Sequence, residues 1–287
     1  MRLAGFIRSA VRRLKALYPE AEARNIVLLL VCDRLGVTPY THVIEPETEV
    51  PEEDRPGLED DLRRLCEAEP LQYVLGWTEF RGRVFKTDRR ALIPRAETEL
   101  LVEEAVRMAA DIPSDGPLRI LDLCTGSGCI AWSLAYELPG AVVTASDLSE
   151  EALALARSQF RRLPRQVVRP VFIPGDILDP GSAFPACDLL TANPPYITPA
   201  ERPLMRSNVL DWEPEMALFA PETDPLSFHR ALAGWAVKLL TPGGGGIVEI
   251  NEDLGEASLA VFRAAGLRDC ALVEDFAGKP RFVRFRK

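Results

Sequence analysis

Residues 118–135 read LRILDLCTGSGCIAWSLA. β-Forming residues lead up to Asp122 and Leu123, a tight turn holds Gly126 and Gly128, and an apolar helical pattern follows from Ile130. A strand, a glycine turn and a helix in that order make one unit of an open α/β sheet. Ligands of such sheets bind at the carboxyl ends of the strands, where the strand order reverses. Glycine there permits positive φ and lets a ligand approach the backbone closely. The helix start behind the turn offers free N–H groups to a carboxylate or phosphate.

The alternation continues downstream. AVVTAS (141–146), VRPVFI (168–173), CDLLTA (187–192) and GIVEI (246–250) read as buried strands, with helices around Ile130–Glu137, Glu150–Phe160 and Phe228–Leu240. Strands alternating with helices imply a mostly parallel sheet covered on both faces. LRDCALVEDF (267–276) and RFVRFRK (281–287) follow each other with no helix between them, so they are expected to pair antiparallel and complete a seven-stranded sheet.

Upstream the period changes. In LIPRAETELLVEEAVRMAA (92–110), Glu97 and Thr98 open a helix behind a proline-containing turn. QYVLGWTEFRGRVFKT (72–87) alternates β-formers around Gly82 and predicts a β-hairpin. Residues 1–70 look helical. Leu3, Phe6, Ile7, Ala10, Val11, Leu14 and Leu17 lie on one helical face. A second helix runs from Pro19 to Gly36, with Ile26, Leu29, Leu30 and Asp33 placing its apolar side inward. The acidic, proline-rich IEPETEVPEEDRPG (44–57) reads as a loop leading to a third helix with Leu58, Leu62, Leu65 and Cys66. The expected organisation is a small helical substrate-recognition domain (1–70), a hairpin linker (71–92) and an α/β domain (93–287).

Bulk composition narrows the function. The chain has 287 residues, of which 47% are hydrophobic and 27% charged, as in an ordinary globular protein. Its longest apolar run, Ile26–Cys32, is too short to span a bilayer. Arg8, Arg12 and Arg13 interrupt the first apolar positions, so a secretory signal is not expected and the N-terminus reads as an amphipathic helix. A formal net charge of −9 argues against general nucleic-acid binding. Six scattered cysteines without a CxxC pair, and only two histidines, argue against zinc and for reduced thiols. The expected state is a cytoplasmic monomer with no membrane attachment, no bound metal and no direct nucleic-acid partner.

Two groups of residues carry the chemistry. The first is the turn Cys124–Gly128 together with Asp147, about twenty residues on, where an acid can take both hydroxyls of a ribose. IPGDI (173–177) then places Asp176 and Ile177 where an adenine can rest. The full GxGxxG is absent, because Ile130 and Ala131 follow Cys129, and no GK[ST] follows the turn, which excludes a P-loop. Asp122, the turn and Asp147 together resemble the S-adenosylmethionine site of class I, Rossmann-like methyltransferases; a nicotinamide enzyme is the competing reading.

The second group is Asn193-Pro194-Pro195-Tyr196, which ends a strand otherwise apolar as far as Ala192. Chance would place NPPY in roughly one shuffled chain of this composition in two thousand. A planar NH₂ is a poor nucleophile because its lone pair is delocalised. Methylating it requires two acceptors for its N–H bonds, and the side-chain carbonyl of Asn193 and the backbone carbonyl of Pro194 supply them. Prolines add carbonyls without competing donors and fix φ. Tyr196 can stack on the planar group. The acceptors bind more strongly as the nitrogen gains positive charge, so catalysis needs no acid–base pair.

PLQYVLG (70–76), LIPRAETE (92–99), DLCTGSG (122–128), NPPYI (193–197) and D-x-EPEMAL (211–218) together resemble the release-factor glutamine methyltransferase family, PrmC/HemK. The resemblance implies an N5-glutamine methyltransferase acting on the GGQ loop of peptide chain release factors in translation termination. It implies catalytic Asn193, Pro194 and Tyr196, with Pro195 and Leu92 also on the substrate side. It implies a cofactor site of Cys124, Thr125, Gly126, Ser127, Gly128, Asp147, Asp176 and Ile177, with Asn193 touching both ligands. Arg95 and Glu97 would close a loop over the cofactor, and Glu213 would order the loop after NPPYI. The alternative that shares NPPY is an N6-adenine or N2-guanine nucleic-acid methyltransferase, which would carry a basic recognition region. Cys124 departs from the family's glycine and is expected to be tolerated if its φ is negative. Ala220, Pro221 and Pro225 stand where the family tends to have glycines and are expected to stiffen the substrate-side loop. Glu249–Leu254 departs from a glycine- and glutamine-containing pattern.

Overall fold

The computed structural model describes residues 1–113 and 116–287. Contacts divide the chain into two compact units, Met1–Trp77 with Arg206–Trp212, and Thr78–Met205 with Glu213–Lys287.

The first unit is helical: α1 (Leu3–Leu14), α2 (Glu20–Leu35), α3 (Thr41–Ile44), α4 (Arg55–Cys66) and α5 (Leu71–Leu75). Leu3, Phe6, Ile7, Ala10 and Leu14 of α1 are buried as their spacing dictates. Leu17 is 40% exposed, because the helix ends before the stripe reaches it. In α2 the buried face is Ala23, Val27, Leu30 and Val31. Of the expected stripe of Ile26, Leu29, Leu30 and Asp33, Leu30 lies on that face, Ile26 is only partly buried and Leu29 is exposed. Almost every position from 26 to 32 is apolar, so periodicity alone could not choose the face. Gly36 ends α2 in the left-handed conformation at φ 64°. Leu71–Leu75, expected to begin the hairpin, is helical, stopped by Gly76 at φ 82°. The Arg206–Trp212 segment joins this unit through an Arg206–Glu22 ion pair (2.7 Å) and a Trp212 Nε1–H bond to the Glu67 carbonyl (3.2 Å).

Next come strands β1 (Trp77–Phe80) and β2 (Arg83–Lys86), joined by Arg81 and Gly82 at φ 51° and 65°. Positive φ at both positions is what a two-residue hairpin turn requires, and arginine adopts it reluctantly. Glu99 Oε1 accepts the Arg81 N–H (2.9 Å) and Glu137 takes its guanidinium in two bonds (3.0 and 2.6 Å), which holds the turn. Phe80 and Phe85 enter the core of the second unit.

That unit continues with α6 (Thr98–Ala110), β3 (Arg119–Leu123), α7 (Cys129–Glu137), β4 (Val142–Asp147), α8 (Glu150–Arg157), β5 (Val171–Pro174) and β6 (Cys187–Ala192). After the one-turn helix α9 (Ser207–Leu210), which belongs to the first unit, the second resumes with the one-turn helix α10 (Glu215–Leu218), then α11 (Ser227–Leu239), β7 (Leu240–Glu249), α12 (Gly255–Ala264), β8 (Arg268–Glu274) and β9 (Pro280–Arg286). The seven-stranded sheet has the order β5-β4-β3-β6-β7-β9-β8, with β9 antiparallel to both neighbours. Side chains alternate between two apolar layers: Ile120, Leu189 and Ile247 enter one, and Leu121, Leu190 and Val248 the other. Chain order reverses between β3 and β6, so their carboxyl ends, Leu123 and Ala192 in register, open the crevice where this architecture binds ligands. Among the described residues no helix is long and apolar enough to cross a membrane.

At the opposite end of β6, Asp188 takes Arg119 in a two-pronged bond (3.0 and 2.8 Å) and accepts the Thr241 hydroxyl (2.8 Å), tying β3, β6 and β7 together. The guanidinium holds its carboxyl down at about 2. Its folded value lies below its unfolded one, so its contribution is complete above about pH 4 and is lost as pH falls towards 2. Acid titration of Asp188→Asn, monitored by unfolding, is expected to lack that part of the wild-type loss.

Candidate active site

A cavity enclosing about 980 Å³, its open mouth included, lies at this crevice. One wall is the β3–α7 turn. Cys124, Gly126 and Gly128 take positive φ of 58°, 53° and 80°. At Gly128 a Cβ would also sit 2.9 Å from the Ala156 Cβ, so glycine is required there by packing as well as by φ. Asp122 is fully buried beneath the turn and accepts the hydroxyls of Thr125 (2.6 Å) and Thr191 (2.8 Å), which ties the turn to β6. Burial pushes its carboxyl up to about 7 against the pull of those hydroxyls.

The condition set for tolerating Cys124, a negative φ, is not met, since its φ is 58°. Left-handed backbone costs a non-glycine residue about 1–2 kcal/mol. The turn accepts this because flanking residues are held, Thr125 N–H by the Ser146 carbonyl (3.0 Å) and Gly126 N–H by Asp147 Oδ2 (2.8 Å). Burial among Asp147, Asp122 and Asp176 keeps the thiol protonated well above its usual range. Cys124→Gly is expected to leave the melting temperature unchanged or raise it by a few degrees, since relieved strain is offset by about 0.5–1 kcal/mol of chain entropy. A clear fall in calorimetry would show that the thiol's packing outweighs the strain.

Asp147 ends β4 facing this turn. Its two oxygens accept the N–H groups of Gly126 (2.8 Å) and Ser149 (2.9 Å). Burial raises its pKa and the backbone donors oppose the rise. Asp176 and Ile177 line the far side, where the Ile177 carbonyl is held by Trp235 Nε1–H (2.8 Å).

The facing wall comes from 92–98 and 214–217. Glu213 is buried, and its carboxylate accepts the Ile93 N–H (3.0 Å) and the Arg95 guanidinium (2.6 Å), joining the segment before α6 to the loop after NPPY. Leu92, Thr98, Asn193, Pro195 and Met216 line the cavity on this side. Of the anticipated residues, Gly128, Pro194 and Tyr196 do not line it. Tyr196 is turned into the protein, where its hydroxyl donates to Glu249 Oε1 (2.9 Å). Glu249 Oε2 accepts the Thr98 hydroxyl (2.8 Å), and Thr98 Oγ1 accepts from Asn193 Nδ2 (3.3 Å). Burial pushes Glu249 up to about 7. Sequence reading noted Glu249 only as a departure and Thr98 only as a helix start; Met216 and Phe228 were missed. An acid inside the apolar strand GIVEI is the one local sign that Glu249 has a partner.

The geometry offers an apolar-walled pocket with an acid at the end of β4, a glycine turn and an amide at the end of β6. Two family models match, the "PrmC N-terminal domain" at residues 6–76 and the "Methyltransferase small domain" at 98–207. A release factor glutamine methyltransferase of Bacteroides thetaiotaomicron is 39% identical over 98% of both chains. The enzyme of that name from Koribacter versatilis is 34% identical over 97% of this chain and 96% of its own. A solved protein-(glutamine-N5) methyltransferase from Alicyclobacillus acidocaldarius aligns with 71% of this chain and 99% of its own at 26% identity and a TM-score of 0.40. Identity of this order running from end to end settles kinship: the chain belongs to the release factor glutamine methyltransferase family.

Proposed function

We propose that the cavity holds S-adenosylmethionine and that the protein methylates N5 of the glutamine side chain in the GGQ loop of a peptide chain release factor. The observation that carries the reading is Asn193. It sits at the cavity on the end of β6, with its NH₂ donated inward to Thr98 and its carbonyl free of protein donors among the described residues. The cavity also fits the cofactor's parts. Thr125, Gly126 and Ser127 present a turn for the amino-acid end, Asp147 keeps lone pairs for a ribose, and Asp176 with Ile177 offers a polar edge and an apolar surface for an adenine. Cys124 lines the turn beside them, and Gly128 shapes it from behind.

When bound, S-adenosylmethionine supplies an electrophilic methyl whose leaving group is a neutral thioether. The chain's residues supply orientation. Asn193 Oδ1 accepts one N–H bond of the substrate amide at the cavity wall. The carbonyl of Pro194, which lies behind that wall between the lining residues Asn193 and Pro195, accepts the other once the substrate is seated, so that the nitrogen is held in line. Leu92 and Pro195 enclose it and exclude water. Tyr196 braces the loop from beneath, with the Asn251 Nδ2–H bond to its carbonyl (3.2 Å) holding the backbone. As positive charge develops on the nitrogen the two acceptors strengthen their hold, which lowers the barrier and not merely KM; the methylated nitrogen then gives up one of its two N–H protons to solvent, leaving a neutral N-methyl amide.

Residues 1–70 serve as the domain that grips the release factor, 71–92 as the connection and 93–287 as the methyltransferase domain, in a cytoplasmic monomer that uses no nucleic-acid partner. Incubating release factor, S-adenosylmethionine and this protein, with total RNA as a parallel substrate, and mapping methyl by peptide mass spectrometry tests the reading. Methyl on the GGQ glutamine is expected. Methyl on RNA bases alone would overturn the substrate.

A further inference from the structure

Glu249 is 1% exposed and takes no part in the mechanism above, yet one of its oxygens is committed to Tyr196 of the NPPY loop and the other to Thr98, which holds Asn193. It ends β7 one position beyond the Ala192–Val248 pair, just as Asn193 follows β6, so the parallel register brings the two residues side by side. Thr98, the first residue of α6, is 2% exposed and lies between their side chains.

The bonds have a fixed polarity while Glu249 is ionised, the state that prevails above about pH 7. The carboxylate then only accepts, so the Thr98 hydroxyl must spend its single proton on Glu249 Oε2. Thr98 Oγ1 can then only accept from Asn193, which obliges that amide to present Nδ2 to Thr98 and leaves Oδ1 for the cavity. The same carboxylate takes the Tyr196 proton on its other oxygen, fixing the ring that follows the two prolines.

We propose that Glu249 is a positioning residue for methyl transfer, which through the Thr98 hydroxyl dictates that Asn193 shows its carbonyl to the substrate amide, and through Tyr196 holds the NPPY loop in place. The inference rests on the function proposed above. It explains why an acid occupies the end of an otherwise apolar strand. Glutamine, equal in shape, must turn an NH₂ towards Thr98 or Tyr196. Towards Thr98 it frees the threonine proton to donate to Asn193, and the amide can flip so that a donor meets the substrate's donors.

The test compares Glu249→Gln, Thr98→Val, the double variant and Thr98→Ser. For each, kcat and KM on release factor, calorimetric affinity for S-adenosylhomocysteine and the ¹⁵N–¹H resonances of the Asn193 side-chain amide are measured on the free protein. Glu249→Gln and Thr98→Val are expected to lower kcat by between about tenfold and a hundredfold, as small misplacements of reacting groups do. Cofactor affinity and KM should stay within about threefold, because no contact to either ligand is removed. The double variant should be no worse than Glu249→Gln alone, since Thr98 acts only through the chain of bonds that Glu249→Gln already breaks. Thr98→Ser, which keeps the hydroxyl, should recover most of the activity lost in Thr98→Val. The Asn193 amide resonances should shift in Glu249→Gln and Thr98→Val and stay near wild type in Thr98→Ser. A near-wild-type kcat in Glu249→Gln, multiplying losses in the double variant, or unmoved Asn193 resonances would each overturn the proposal. If the wild type leaves the GGQ glutamine unmethylated, the proposed function fails, and the resonances still decide the bond chain.

Discussion

Asn193→Ala is expected to lower kcat for methyl transfer by about a thousandfold or more while leaving affinity for S-adenosylmethionine within about twofold. Removing one preorganised group aimed at transition-state charge costs about a hundredfold to a thousandfold elsewhere. Here the loss should reach the upper end, because Asn193 is the one side-chain acceptor proposed for the substrate amide. The amide is also held from behind by Thr98, so its position needs no reorganisation during reaction. Asn193→Asp offers a sharper comparison. It keeps an acceptor for the substrate, yet its second oxygen would face Thr98 Oγ1, whose proton is already given to Glu249. A large loss in Asn193→Asp would show that the amide's orientation matters as well as the acceptor. If Asn193→Ala instead lost cofactor binding with kcat intact, the residue would belong to the cofactor site and the clamp would be wrong.

Asp147→Ala is expected to weaken S-adenosylmethionine binding by about 1–3 kcal/mol, the worth of a hydrogen bond to a charged group, or roughly fivefold to 150-fold in Kd. Two effects add. The ribose hydroxyls lose their acceptor, and the N–H groups of Gly126 and Ser149 lose theirs, so the turn that lines the pocket loosens. Asp147→Asn separates them in part. An asparagine satisfies one backbone N–H with its carbonyl and turns an NH₂ on the other, placing donor against donor. Calorimetry should therefore find Asp147→Asn also impaired. Unchanged affinity in both variants would remove the ribose assignment.

The sheet and its switch point were legible because their signals are local. LRILDL, CDLLTA and GIVEI are short apolar runs bounded by turns, and glycines mark where the chain must reverse. NPPY stood out for the same reason, since two prolines cannot continue a buried strand. The α2 face was not legible, because an almost wholly apolar stretch has no preferred side until neighbours supply one. Leu71–Leu75 carries β-formers and still folds as helix, because Pro70 starts the turn and Gly76 stops it. The left-handed Cys124 was invisible for a different reason. Cysteine states no preference for that conformation, and bonds from Ser146 and Asp147 impose it.

The sequence by itself determined the α/β class, the place of the ligand crevice and part of its rim, including Cys124, Thr125, Gly126, Ser127, Asp147 and Asn193, since each follows from a pattern a few residues long. Tertiary structure alone decided how those residues are held. Glu213 grips Ile93 from 120 positions away, Thr98 meets Glu249 across 151, and Asn193 meets Thr98 across 95. Hydrogen bonds over such separations leave no period in the chain. They exist because adjacent parallel strands end side by side, and a buried carboxylate cannot stay there without donors to satisfy it.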